Sequence, residues 1–141
     1  MTVSAVDFLT SADVSKAAGS EIDLRNCISR AYYSVFHSAL PVADAHFPDK
    51  NAHLGMGEHE RLSTRFHDAA TRKAVGVGYV LEVMKRERRR ADYDLLDTIN
   101  VHDAEQALLN ARAFGNRLAL CIPQQQTSAA AGSGTAQQGN Q

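Results

Sequence analysis

The chain has 141 residues, 44% of them hydrophobic and 22% charged, and a formal net charge of −1 at pH 7. That is enough chain for one globular core, and the near-neutral balance excludes a uniformly basic, polyanion-coating surface. No apolar run approaches the roughly 18 to 20 residues that span a bilayer, and the N-terminus lacks the charged and apolar regions of a signal peptide, so neither membrane insertion nor secretion is expected.

Cys27 and Cys121 stand alone without a CxxC spacing, which argues against a disulfide scaffold or a thiolate zinc site and suits a reducing cytoplasm. The charge is segregated along the chain. Residues 1–60 carry four Lys/Arg against eight Asp/Glu, residues 61–90 nine against three, and residues 91–141 two against five. A basic block with acidic flanks suits a local polyanion contact, or else a solvated helix face partly closed by ion pairs.

Helical periodicity recurs through the first 122 residues and strand alternation does not. The first helix starts at Ser4, with Asp7 as capping-box partner, places Ala5, Phe8, Leu9 and Ala12 inward, and stops near Gly19. Ser20 and Asp23 repeat the start signal for a second helix, whose stripe is Leu24, Ile28, Ala31, Tyr32, Val35, Phe36 and Ala39. Pro41 is expected to kink or end it, and Val42 to Gly57 reads as loop. A third helix carries His59, Leu62, Phe66 and Ala69 on one side. The fourth has the stripe Val77, Val80, Leu81, Met84, Arg88 and Ala91, with Gly76 and Gly78 loosening its start. The fifth begins at Asn100 and reads Val101, Ala104, Leu108, Ala111, Gly115, Leu118 and Ile122. The expected fold class is all-α, an antiparallel up-and-down bundle of about five helices over residues 1–122, followed by a disordered Gln/Ala/Gly/Ser-rich tail over residues 123–141.

Two stretches carry candidate chemistry. In RNCISRAYYSVFHSA, Arg30, Tyr33 and His37 share the face opposite the apolar stripe. In KRERRRADYDL, Arg88 falls inside the apolar stripe, where an unpartnered charge costs several kcal/mol by order of magnitude, so an anionic group should meet it. Asp92, one turn on, is the nearest carboxylate; a bound phosphate is the alternative. Arg86, Arg89 and Tyr93 lie on the other side of that helix, where guanidinium groups can grip phosphates and a tyrosine can stack on a base. A turn after Ala91 would swing Tyr93 toward Arg88. No metal or other cofactor is expected: His46, His53, His59 and His67 straddle a loop without HExxH, and the GxG of AVGVGYV follows no strand.

The pair RAYYSVFH and, some 50 residues on, RRRADYDL resembles the HEPN superfamily (higher eukaryotes and prokaryotes nucleotide-binding domain), in its small stand-alone bacterial and archaeal form, over roughly Val6 to Leu118. The resemblance implies a helical bundle that pairs as a homodimer around a composite cleft. It also implies either a nucleic-acid or nucleotide-binding module of a toxin–antitoxin or defence system, accompanied by a minimal nucleotidyltransferase partner that adenylylates a tyrosine, or a metal-independent ribonuclease. A non-catalytic helical interaction protein, with Arg88 closed on Asp92, is the third reading. On the family motif of an arginine, four to six residues and a histidine, the arginine is Arg88, and Tyr93 stands where the histidine belongs. Tyrosine is ordinarily a poor base at neutral pH. Arg30 and His37 have a similar spacing, which offers His37 as a proton-transfer group, but Arg61 and His67 match as well, so bare spacing is not diagnostic. Arg88, Tyr93 and His37 are thus the catalytic candidates, and Arg30, Tyr33, Arg86, Arg88, Arg89 and Arg90 the phosphate-binding ones, with Asp92 supporting.

Overall fold

The local start and stop chemistry fixes five helices, α1 (Ala5–Ala18), α2 (Glu21–His46), α3 (Glu58–His67), α4 (Arg72–Tyr93) and α5 (Val101–Cys121), in a computed structural model that describes residues 2–123. The expected tail lies outside the described residues, apart from Pro123. Ser4, Ser20 and Asn100 each form a capping box with the aspartate three residues on, and Thr71 accepts from the Ala74 amide at 3.2 Å. Gly19 ends α1 with φ of 84°, a left-handed turn that a Cβ would strain.

The described residues form an all-α bundle, without strands, around α2. α2 touches the other four helices, and every residue of its predicted stripe is buried. Tyr32, Phe66, Phe114, Ile28, Leu62 and Leu81 are the largest side chains fully enclosed. Each such burial contributes about 1.5–3 kcal/mol before conformational entropy is subtracted. Arg25 meets Ala91 and Tyr32 meets Arg88, so α2 and α4 run antiparallel; Asp13 with Arg112 and Lys16 with Glu105 show the same for α1 and α5.

The structure departs from the sequence reading at four places. Pro41 does not end α2, which continues to His46: the proline is exposed, while Ala43 and Phe47 beyond it are buried, and their packing outweighs the missing amide hydrogen bond. The segment read as loop therefore begins five residues later, and it contains one 3₁₀ turn, Ala52–Leu54. Gly76 and Gly78 do not mark the start of α4, which begins at Arg72. Gly78 is buried under the His67 ring, where a Cβ would come within 3.1 Å, so it lets α3 and α4 approach closely. On α5, Val101 and Gly115 are exposed, and Ala107, Phe114 and Cys121 take their place in the core.

Arg25, on α2, is 5% exposed and clamps the end of α4. Its Nη1 donates to the carbonyls of Ala91 at 2.8 Å and Asp94 at 3.2 Å; Nη2 donates to the Asp97 carbonyl and to Glu21 Oε1 at 3.2 Å. Glu21 in turn accepts from the Ile99 amide at 3.2 Å, which, with Arg25, holds its carboxyl below the usual range. One fork thus satisfies the carbonyls left open where α4 stops. Arg25→Ala is expected to lower unfolding free energy by about 3 kcal/mol in urea titrations, since the buried Ala91 carbonyl and the partly buried Asp94 and Asp97 carbonyls lose their donor at once. Arg25→Lys is expected to restore little of it, because an ammonium cannot fork.

Candidate functional site

The antiparallel contact of α2 and α4 brings the inward face of α4 against two neighbouring tyrosines. Arg88 is 9% exposed, and its guanidinium carbon lies 5.5 Å from the centroid of the Tyr32 ring and 5.8 Å from that of Tyr33. Such cation–π contacts contribute about 0.5–2 kcal/mol each. The carboxylate that meets it is Asp92, as the spacing suggested, but at the outer limit of a hydrogen bond: Nη1 to Oδ2 is 3.5 Å. Asp92 is shared with the Ser29 hydroxyl, which donates to the same oxygen at 3.4 Å. Arg88 Nε is buried without any partner among the described residues. A guanidinium has five N–H donors, so one long bond leaves this buried group far from satisfied.

The same aromatic pair gathers two imidazoles. His59, in the first turn of α3, has Nδ1 in a 2.7 Å hydrogen bond with the Tyr32 hydroxyl, and its ring lies 4.5 Å from that of Phe36 and 6.0 Å from that of Tyr33. His37 is exposed, stacked on Phe8 at 5.0 Å and on Tyr33 at 6.2 Å. Burial, and then the charge of Arg88, hold His59 below the ordinary imidazole range; Lys85 and His37 act in the same direction and Glu58 against it. Burial also pushes the Tyr32 phenol up, with Arg88 opposing, so Tyr32 stays a neutral hydroxyl that fixes the His59 ring. In the sequence His59 stands out only as part of a helix stripe. Its partner is 27 residues away in sequence, and no local pattern announces the pair.

The remaining candidates divide between faces. Arg88, Tyr33 and His37 come together. Tyr93 does not join them: α4 stays helical through Tyr93, five residues beyond Arg88, and so turns it about 140° away. It is 74% exposed and lines an open outer depression, shared with Glu82, Glu87, Arg90 and Asp94, into which Lys85, Arg86 and Arg89 also face. These three cations have no ion pair among the described residues. Arg90, read as a phosphate ligand, instead ties the α4–α5 connection, pairing with Glu87 at 3.1 Å, Asp103 at 3.4 Å and Asp97, and donating to the Thr98 carbonyl at 3.0 Å. Arg30 is exposed and unpaired among the described residues.

Comparison with protein-family models, curated proteins and solved structures gives no match for this chain. Among the described residues, no helix is long and apolar enough to cross a membrane, and no three metal-ligating side chains come together. Both cysteines are buried and unpaired, and burial pushes the Cys27 thiol up to about 11, leaving it a poor nucleophile.

Two stability measurements follow from this geometry. Replacing a poorly paired buried cation with an apolar side chain of similar length removes a desolvation cost, so Arg88→Met is expected to leave the urea midpoint unchanged or raise it, within about 1 kcal/mol. An imidazole held below its unfolded value resists protonation in the fold. Its contribution is therefore complete above pH 6.5, the ordinary histidine value, and is lost as pH falls through the lower folded value. Urea titrations at pH 7.5 and 5.5 are expected to show weaker stability at the lower pH, and a smaller difference in His59→Gln.

Proposed function

We propose that this chain is a HEPN-like module that holds a phosphate of RNA or of a nucleotide at Arg88. The reading places it in a toxin–antitoxin or defence-type system, as a homodimer working beside a minimal nucleotidyltransferase. The observation that carries it is Arg88 itself: a desolvated guanidinium with one long carboxylate contact and a buried, unpartnered Nε, lying over Tyr33, whose ring also packs on two imidazoles. Phosphate oxygens satisfy such a group better than the shared Asp92 does, because they offer several acceptors in the plane of the fork. The unpaired Lys85, Arg86 and Arg89, with exposed Tyr93, supply a second basic strip on which the flanking backbone of a longer ligand can lie and a base can stack.

A second reading, a metal-independent ribonuclease, rests on the presence of imidazoles in the Arg88 cluster itself, where His37 or His59 stands in for the histidine that the motif lacks at Tyr93. A purely structural role for Arg88 rests on the Arg88–Asp92 pair.

One experiment separates these readings. A labelled oligoribonucleotide and, in a parallel arm, a mononucleotide are titrated with the protein at low salt. Binding in either arm is expected to weaken steeply with added salt and at least tenfold in Arg88→Ala, with the fold retained by circular dichroism. No binding in either arm at low salt, or binding indifferent to Arg88→Ala, removes the proposal. Cleavage of the oligoribonucleotide, abolished in Arg88→Ala, decides for the ribonuclease reading.

A further inference from the structure

The Arg88 site is asymmetric in a way that phosphate recognition by arginine alone does not explain. On one side of the Tyr32 ring lies a fixed cation that cannot lose its charge; hydrogen-bonded to the hydroxyl of the same ring is His59, which can gain one. Tyr32 occupies Nδ1, so Nε2 is the one ring nitrogen left for a ligand. His59 stands in the first turn of α3, whose N-cap is Gly57 and whose opening amides have no side-chain acceptor. An anion near His59 therefore meets the positive end of a helix, though this alone makes no site. The independent sign of a ligand is the neighbouring Arg88, nine-tenths buried with Nε unpartnered.

The charged and titratable groups facing His59 are Tyr32, Tyr33 and His37 from α2, Arg88 and Lys85 from α4, and Glu58 from its own helix. Burial and the charges of Arg88 and Lys85 disfavour protonation of the ring. An anion bound to Arg88 cancels the larger of the two repulsions and supplies an acceptor for a second N–H. The balance then reverses, and the ring gains most by becoming a cation.

We infer that His59 is the second ligand of the phosphate held by Arg88, recruited by taking up a proton as the anion arrives, with Nδ1–H then donated to Tyr32 and Nε2–H to a phosphate oxygen. This rests on the phosphate reading above and adds what that reading lacks: the residue that makes affinity depend on pH. The ligand class it selects is a phosphodiester or phosphate anion in contact with both side chains at once. A polyanion lying only along the outer strip of Lys85, Arg86 and Arg89 makes no contact with His59.

The test uses the full chain and an oligoribonucleotide ending in hydroxyls, whose phosphodiesters do not titrate near neutrality; a cyclic mononucleotide, also a diester, forms the second arm. Affinity is measured at pH 6, 7 and 8 at constant ionic strength. Linkage limits one coupled proton to tenfold per pH unit, and binding is expected to weaken about fivefold or more between pH 6 and pH 8. In His59→Gln it is expected to change less than about twofold over that range, while His37→Gln keeps the slope. Calorimetry at pH 7 in two buffers of different ionisation enthalpy should show net proton uptake by the wild type and not by His59→Gln. Should that variant fail to fold, the ring resonances of His59 in wild-type protein give the answer directly: saturation with the oligoribonucleotide at pH 7 moves them toward the protonated form. Tight binding with no pH slope, a slope that survives in His59→Gln, or unmoved His59 resonances overturns the inference and leaves the phosphate reading standing. Absence of binding at every pH in both arms overturns both.

Discussion

Two guanidinium groups are taken out of water along the seam between α2 and α4, and the contrast in how each is satisfied organises the molecule. Arg25 reaches from α2 to four carbonyls around the end of α4 and to Glu21 on its own helix, and these five acceptors occupy both of its terminal nitrogens. Arg88 reaches the other way, from α4 to α2, and finds two aromatic faces and one distant, shared carboxylate. Both are desolvated, so both carry the cost of losing hydration, and among the described residues Arg25 has by far the more acceptors to offset it. The fold thus saturates both terminal nitrogens of one arginine and leaves its neighbour on the same seam with a single long bond and an unpartnered Nε.

The position of α4 follows from this seam. Arg25 and Arg90 together fix its C-terminal end, Arg25 through the carbonyls and Arg90 through carboxylates on α4, on the connection and on α5. With that end held, the helix presents Arg88 inward and Lys85, Arg86, Arg89 and Tyr93 outward, on two surfaces rather than one. The basic block of residues 61–90 is accordingly not a single patch. Arg61 and Arg65 pair with Asp49 and Asp44, Arg90 holds the α4–α5 connection, Arg72 and Lys73 are exposed at the opposite end of α4, and the remainder divides between the buried seam and the outer face.

Aromatic packing does the positioning inside the site. Tyr32 faces Arg88 with its ring and His59 with its hydroxyl, so one side chain, itself 1% exposed, sets the relation between a permanent cation and a titratable one. Tyr33 and Phe8 arrange His37 at the open margin. Because the hub is buried on the central helix, these groups are held by the core and not by a loop, which is the kind of support a preorganised anion site requires.

The sequence by itself determined the elements whose cause is local. Serine or asparagine followed three residues on by aspartate fixed the starts of α1, α2 and α5, Gly19 fixed the stop of α1, and the period of apolar residues gave the buried stripe of α2 and turned Arg88 inward. Each of these depends on groups within a turn or two of one another. What tertiary structure alone decided depends on partners far apart in the chain. Arg25 meets carbonyls 66 to 72 residues away, His59 meets a tyrosine 27 residues away, and Arg90 reaches past the end of its own helix. Pro41 was overruled in the same way, since the burial of Ala43 and Phe47 outweighs a local penalty. Periodicity can say which side of a helix is buried, but only the assembled bundle says whether a buried charge finds enough acceptors there.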